Sequence, residues 1–107
     1  MHELDIITLR SLCAAGAIHW TTHALGRIQE RGIHPSDVKH CIMTGEIIEQ
    51  YPDDYPYPSC LVLGIAVNNR YLHIVVGLCD NAIFFITAYY PSSEKWEYDL
   101  KTRREKT

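Results

Sequence analysis

Residues Cys60 to Tyr90, CLVLGIAVNNRYLHIVVGLCDNAIFFITAYY, decide the fold. Three runs rich in apolar, β-branched and aromatic residues, Cys60–Val67, Tyr71–Cys79 and Ala82–Tyr90, are separated by Asn68-Asn69-Arg70 and Asp80-Asn81. Runs of this length bounded by Asn and Asp, which tolerate left-handed backbone, read as strands joined by tight turns. Just upstream, Glu46–Tyr51 (EIIEQY) reads as another strand, and Pro52–Pro58 (PDDYPYP) must be a loop because of its prolines and aspartates.

Side chains alternate between the two faces of a strand, so the hairpin turns set which residues share a face. A two-residue turn after Val67 groups Leu61, Leu63, Ile65 and Val67 with Leu72, Ile74, Val76 and Leu78. A three-residue connection or a bulge adds Phe84, Ile86, Ala88 and Tyr90, giving an apolar face for helices to cover. The opposite face then carries Cys60, Val62, Gly64, Ala66, Tyr71, His73, Val75, Gly77, Phe85, Thr87 and Tyr89. Small residues in its middle and polar aromatics at its ends suit a shallow groove, although Tyr and Thr are common on any half-exposed sheet face.

Working outward, Glu3–Ala15 has a helical apolar pattern closed by Gly16, and Ala17–Trp20 is short and β-compatible. Thr21 or Thr22 caps a helix over His23–Arg31 that Gly32 stops. Pro35 and Ser36 open the next, Asp37–Met43, closed by Gly45. Ser92 or Ser93 caps a last helix from Glu94 to about Arg104. The order predicts an α+β fold: a four- to five-stranded, mainly antiparallel sheet with helices packed on one face.

At 107 residues, 47% hydrophobic and 21% charged, the chain is expected to be one ordered domain over 1–107. No apolar run reaches membrane-spanning length, and the acidic start Met1-His2-Glu3-Leu4-Asp5 lacks the basic region of a secretory signal. Cys13, Cys41, Cys60 and Cys79 show no C-x-x-C spacing, which suits reduced, buried thiols in the cytoplasm. A net charge of −3 argues against a protein permanently coated in nucleic acid. That charge is segregated, however: Glu46, Glu49, Asp53 and Asp54 cluster without a base, while Lys101, Arg103, Arg104 and Lys106 crowd the C-terminus.

His23, Arg27, Glu30 and Arg31 fall on one helix face, with Ala24, Leu25 and Ile28 on the other. His with Arg suits phosphodiester chemistry, one moving protons and the other stabilising charge. The plain alternative is a solvated face whose arginines pair with Glu30 or the Glu46–Asp54 segment. His19 and His23 have no carboxylate or Cys at metal spacing beside them, so no metal and no cofactor are expected. His73 in the groove could pair with Tyr71, Thr87 or Tyr89, or be an ordinary buried histidine. Arg103 and Arg104 could contact phosphate, or form a basic helix end.

The blocks His23-Ala24-x-x-Arg27-x-x-Glu30-Arg31-Gly32-Ile33 and Gly45-Glu46-Ile47-Ile48-Glu49-x-Tyr51-Pro52-Asp53-Asp54-x-Pro56-x-Pro58, followed by Leu61 to Gly64, His73, Thr87-x-Tyr89, Lys95-Trp96 and Arg103, resemble a prokaryotic domain-of-unknown-function family. The resemblance covers about residues 19–105 and leaves the N-terminal helix, 1–16, outside. That family is placed with RelE/ParE-like toxins in the barnase–EndoU–colicin–RelE fold group. The resemblance implies a metal-independent endoribonuclease, cutting by 2′-hydroxyl attack, in a toxin–antitoxin pair. Carried over, it implies His23 or His73 as general base, Arg27 and Arg31 stabilising the phosphorane, and Tyr89 as acid or orienting group. Tyr71, Thr87, Lys95, Arg103 and Arg104 would bind substrate. The implied partners are RNA, including ribosome-bound mRNA, and a cognate antitoxin protein; a homodimer is compatible with it, and no membrane is implied. Two other readings stay open: a non-catalytic toxin-fold module that binds a protein or peptide, and a metal-binding or sensory domain built on the histidines.

Overall fold

The computed structural model describes residues 3–105; the Met1-His2 start and Lys106 of the basic tail lie outside the described residues. It is α+β. The elements are α1 (Ile6–Ala14), β1 (Ile18–His19), α2 (Thr22–Glu30), α3 (Pro35–Thr44), β2 (Glu46–Tyr51), β3 (Ser59–Ile65), β4 (Tyr71–Cys79) and β5 (Ala82–Tyr89). They form a five-stranded mixed sheet in the order β1-β5-β4-β3-β2. The antiparallel meander β2–β5 is the unit expected from the sequence, and the short β1 adds a parallel edge beside β5.

The helix boundaries follow from local chemistry. Asp5 caps α1 by accepting from Ile7 N–H, and Thr21 caps α2 by accepting from Ala24 N–H at 3.0 Å. Gly32, at φ +70°, ends α2 in a Schellman motif: its N–H donates to Gln29 C=O and that of Ile33 donates to Ile28 C=O. Ile33 and Ile28 are both buried in the same cluster, so the turn is sealed by an apolar contact. α3 begins two residues earlier than the sequence suggested. Pro35 takes the first helical position, and the cap is His34 rather than Ser36. The buried Asp37 carboxylate accepts from His34 N–H at 2.9 Å and Val67 N–H at 3.0 Å, tying the start of α3 to the β3–β4 turn.

The register corrects the expected core face. Ser59 pairs with Gly77 and Ile65 with Tyr71, with the chain turning through Ala66–Arg70 and Asn69 at φ 67°. This is a one-residue slip from the register expected for a two-residue turn, and it exchanges the faces of β3. Cys60, Val62 and Ala66 therefore join Leu72, Ile74 and Val76 under the helices. Leu61, Leu63 and Ile65 fall on the other face, with His73. On β5, a bulge lies between Thr87, opposite Val75, and Phe85, opposite Val76. It puts Ile83, Phe85 and Ala88 in the core and leaves Ile86 exposed. α1, α2 and α3 contribute Leu9, Cys13, Ala24, Ile28, Val38, Cys41 and Ile42 to the same cluster. α3 sits so close to β3 that a Cβ on Gly64 would lie 2.2 Å from Cys41 O.

The last helix expected from the sequence is absent. Residues 91–105 form an irregular strap instead. Trp96 bridges Arg103, Glu97 N–H donates to Thr102 C=O at 2.8 Å, and Arg104 N–H donates to Lys95 C=O at 2.9 Å. Asp99 turns the strap by accepting from Lys101 N–H, Thr102 N–H and the Thr102 hydroxyl, offering the backbone an alternative to helix. Trp96, 2% exposed, lands on the sheet face opposite the helices. Among the described residues, no helix is long and apolar enough to cross a membrane.

Candidate functional site

The site forms where three elements meet: the end of α2, the end of β5, and the strap. Arg31 caps the C-terminus of α2, and its side chain crosses to β5. Nη1 donates to Ala88 C=O at 2.7 Å and to Thr87 Oγ1 at 3.2 Å. Two residues along the strand, Tyr89 faces the strap side. Arg31, Tyr89, Tyr90, Ser92, Lys95, Trp96 and Arg103 line a pocket of about 450 Å³. Its lining holds three cationic and three aromatic side chains, a serine, and no carboxylate.

Beneath the pocket lies His73, wholly buried. Its ring meets Tyr89 edge-on at 5.3 Å and Trp96 edge-on at 4.5 Å. Nε2 lies 2.8 Å from Leu100 C=O, and Nδ1 lies 3.3 Å from the Tyr89 hydroxyl. A carbonyl only accepts, so Nε2 carries the proton, and in the neutral ring Nδ1 is then free to accept from Tyr89 O–H. Burial lowers the His73 pKa, against the Leu100 carbonyl and the Glu49 carboxylate, which act to raise it. Burial also raises the Tyr89 phenol.

Arg103 fastens the strap across this face. Nε donates to Glu49 Oε2 at 3.0 Å, and Nη2 to Glu49 Oε1 at 3.1 Å and to Tyr51 Oη at 3.4 Å. The guanidinium carbon stands 4.7 Å from the Trp96 ring centroid. Tyr51 O–H donates to Glu49 as well. Burial alone would raise the Glu49 carboxyl, but the hydrogen bonds from Arg103 and Tyr51 hold it below the ordinary value. Burial and the Glu49 bond push Tyr51 up to about 12. Lys101 pairs with Glu46 at 3.1 Å. The acidic segment and the basic tail thus meet as partners across the β2 edge.

Of the residues picked from sequence, Arg31, Tyr89, Lys95 and Arg103 line the pocket. Thr87 holds Arg31 at its rim, and His73 lies underneath. His23 and Arg27 are exposed on α2 and do not line it. Tyr71 lines a separate groove of about 400 Å³ with Glu46, Tyr98 and Lys101. Arg104 is spent on Ser93 C=O at 2.6 Å and Glu97 at 3.0 Å. The sequence pattern does not single out Tyr90, Ser92 and Trp96 as pocket residues, nor Glu49 and Tyr51 as the latch. Trp96 carries a signal in the sequence, an aromatic directly beside Lys95. Among the described residues, no three His, Cys, Asp or Glu side chains are grouped to hold a metal.

The family model of the domain of unknown function DUF4258 matches residues 20–90. The chain belongs to that family. No curated protein and no solved structure gives a significant match. The DUF4258 span contains α2, α3 and β2–β5, and with them Arg31, Glu49, Tyr51, His73 and Tyr89. α1 lies outside the DUF4258 match, as does the strap with Lys95, Trp96 and Arg103.

Proposed function

We propose that this DUF4258 chain is the toxin of a toxin–antitoxin pair, a metal-independent endoribonuclease that binds an RNA phosphodiester in the pocket of Arg31, Tyr89 and Lys95. The observation that carries this reading is the pocket lining: three cations and three aromatics without a carboxylate, in a chain of net charge −3. Cations with aromatics suit a phosphate and its attached base. In the proposed reaction the 2′-hydroxyl attacks the adjacent phosphorus, the O2′–P bond forms and the P–O5′ bond breaks. Arg31 and Lys95 stabilise the added charge, and the Tyr89 hydroxyl stands at the reacting end. The RelE-like resemblance of the sequence blocks supports the same chemistry.

One observation favours a second reading, a non-catalytic module that binds an anionic protein or peptide segment. Arg31 and Arg103 are already bound to Thr87, Ala88, Glu49 and Tyr51. Among the described residues, Lys95 alone of the three pocket cations has no ion-pair or hydrogen-bond partner for its ammonium. Induced expression with and without the neighbouring gene separates the two, scoring growth arrest and cellular RNA cleavage. The RNase reading expects arrest with wild type, relief by co-expression of the neighbour, and no arrest with Arg31→Ala. Neither arrest nor cleavage by wild type would refute it.

A further inference from the structure

We infer that His73 and Tyr89 form a proton relay in which buried His73, never touching substrate, holds the proton that Tyr89 hands inward. This rests on the RNA-cleaving reading and assigns a base to the site. The pocket itself is lined by no histidine or carboxylate. The nearest imidazole is His73, with Nδ1 3.3 Å from the Tyr89 hydroxyl and Nε2 2.8 Å from Leu100 C=O. The Leu100 carbonyl sets the tautomer, leaving Nδ1 as the acceptor and pointing the Tyr89 O–H away from the pocket. The phenol oxygen then turns its lone pairs toward bound substrate, where it can accept a hydroxyl proton.

The step balances. As O2′ attacks phosphorus, its proton passes to Tyr89 Oη, and the original Oη proton passes to His73 Nδ1. The O2′–P bond forms and the P–O5′ bond breaks. The departing 5′-oxygen takes a proton from water at the open side of the pocket, and the imidazolium returns its proton to the resulting hydroxide after product leaves. The groups facing His73 suit a transient cation. Glu49, which accepts from Tyr51, approaches from β2, Tyr89 from β5, and Arg103 from the strap, while Tyr71 lies two residues away on the same face of β4. Glu49 and the Leu100 carbonyl favour the imidazolium; Arg103 and burial oppose it. Burial explains why the resting ring is neutral and ready to accept. Trp96, Leu61 and Leu63 close the face against water. His73 is therefore a positioning residue that acts through Tyr89.

The test uses the full chain and has two arms. Nitrogen-15 histidine NMR at neutral pH, without RNA, is expected to show His73 protonated at Nε2 alone, with an Nδ1 resonance that moves in Tyr89→Phe. An Nδ1-protonated ring, a cationic ring, or a resonance indifferent to Tyr89→Phe would overturn the relay whatever the RNA result. In the second arm His73→Gln keeps a donor and an acceptor but cannot store a proton. Its cleavage rate is expected to fall at least about 100-fold, a general-base-sized loss. The acid limb of its pH–rate profile should vanish while circular dichroism stays native. Unchanged cleavage with an unchanged profile would overturn the relay and spare the RNase reading. No cleavage by wild type, with the expected tautomer in place, would overturn both. If His73→Gln does not fold, the NMR arm decides.

Discussion

Removing the Arg103 latch should loosen the strap by an amount the geometry sets. Arg103→Ala deletes a two-pronged pair with Glu49, whose side chains are 60% and 24% exposed. An exposed pair contributes about 0.2–1 kcal/mol, and the forked geometry on a half-buried carboxylate puts this one near the top, ~1 kcal/mol. The guanidinium over Trp96 adds about 0.5–1 kcal/mol at an exposed site. The expected cost is therefore about 1.5–2 kcal/mol, which for a domain of this size lowers Tm by roughly 6–12 °C. The assay is a double-mutant cycle of Arg103→Ala and Glu49→Gln followed by chemical denaturation, with Trp96 fluorescence reporting on the strap. The coupling energy should be about 1 kcal/mol at low salt and should shrink by half or more in 1 M NaCl. Strict additivity at low salt, within about 0.3 kcal/mol, would refute the latch.

Three other outcomes are expected. Gly64→Ala forces a methyl group into the Cys41 carbonyl of α3 and should cost about 3 kcal/mol or more by urea titration; a loss under about 1 kcal/mol would mean that α3 shifts freely. Stability should fall in acid in two stages. His73 has a folded pKa below the ordinary 6.5, so its contribution is complete above 6.5 and is lost as pH falls through the folded value. Glu49, also depressed, adds a second loss below its ordinary 4.5; a flat profile from pH 6.5 to 4.5 would contradict the first stage, and one that stays flat as pH falls on below 4.5 would contradict the second. Thiol labelling of the native chain should reach the half-exposed Cys79 first, while Cys41 and Cys60, buried and pushed up to about 12, react only on unfolding; equal rates for these three would refute the packing.

Local signals were legible in the sequence where one residue type has one physical use. Gly16 and Gly32 both end helices with positive φ, and Thr21 caps α2. The hairpin register was not legible, because β3 and β4 are buried on both faces. Leu61 and Leu63 are as apolar as Cys60 and Val62, so alternation could not say which pair meets the helices. Nothing in the FFIT run of β5 marks the bulge that exposes Ile86. The strap is not legible because Trp96 and Leu100, four apart, fit a helix face equally well; Asp99 and the latch to β2 decide against it. The expected groove face holds only in part, because Cys60, Val62, Ala66 and Phe85 lie under the helices. Tyr71, His73, Thr87 and Tyr89 do share it, but the strap covers the part that holds His73, and Arg31 alone of the α2 cluster reaches the pocket.

The proposed action of the pocket of Arg31, Tyr89 and Lys95 on RNA can be tested in vitro. Its most direct test is incubation of purified chain with end-labelled single-stranded RNA in excess EDTA, comparing wild type with Arg31→Ala and Lys95→Ala. The expected result is cleavage that leaves a 2′,3′-cyclic phosphate in wild type and is strongly reduced in both variants. Lys95→Ala should also lower the salt slope of RNA binding by about one. Wild type that neither binds nor cuts RNA, or variants that cut as fast as wild type, would contradict it.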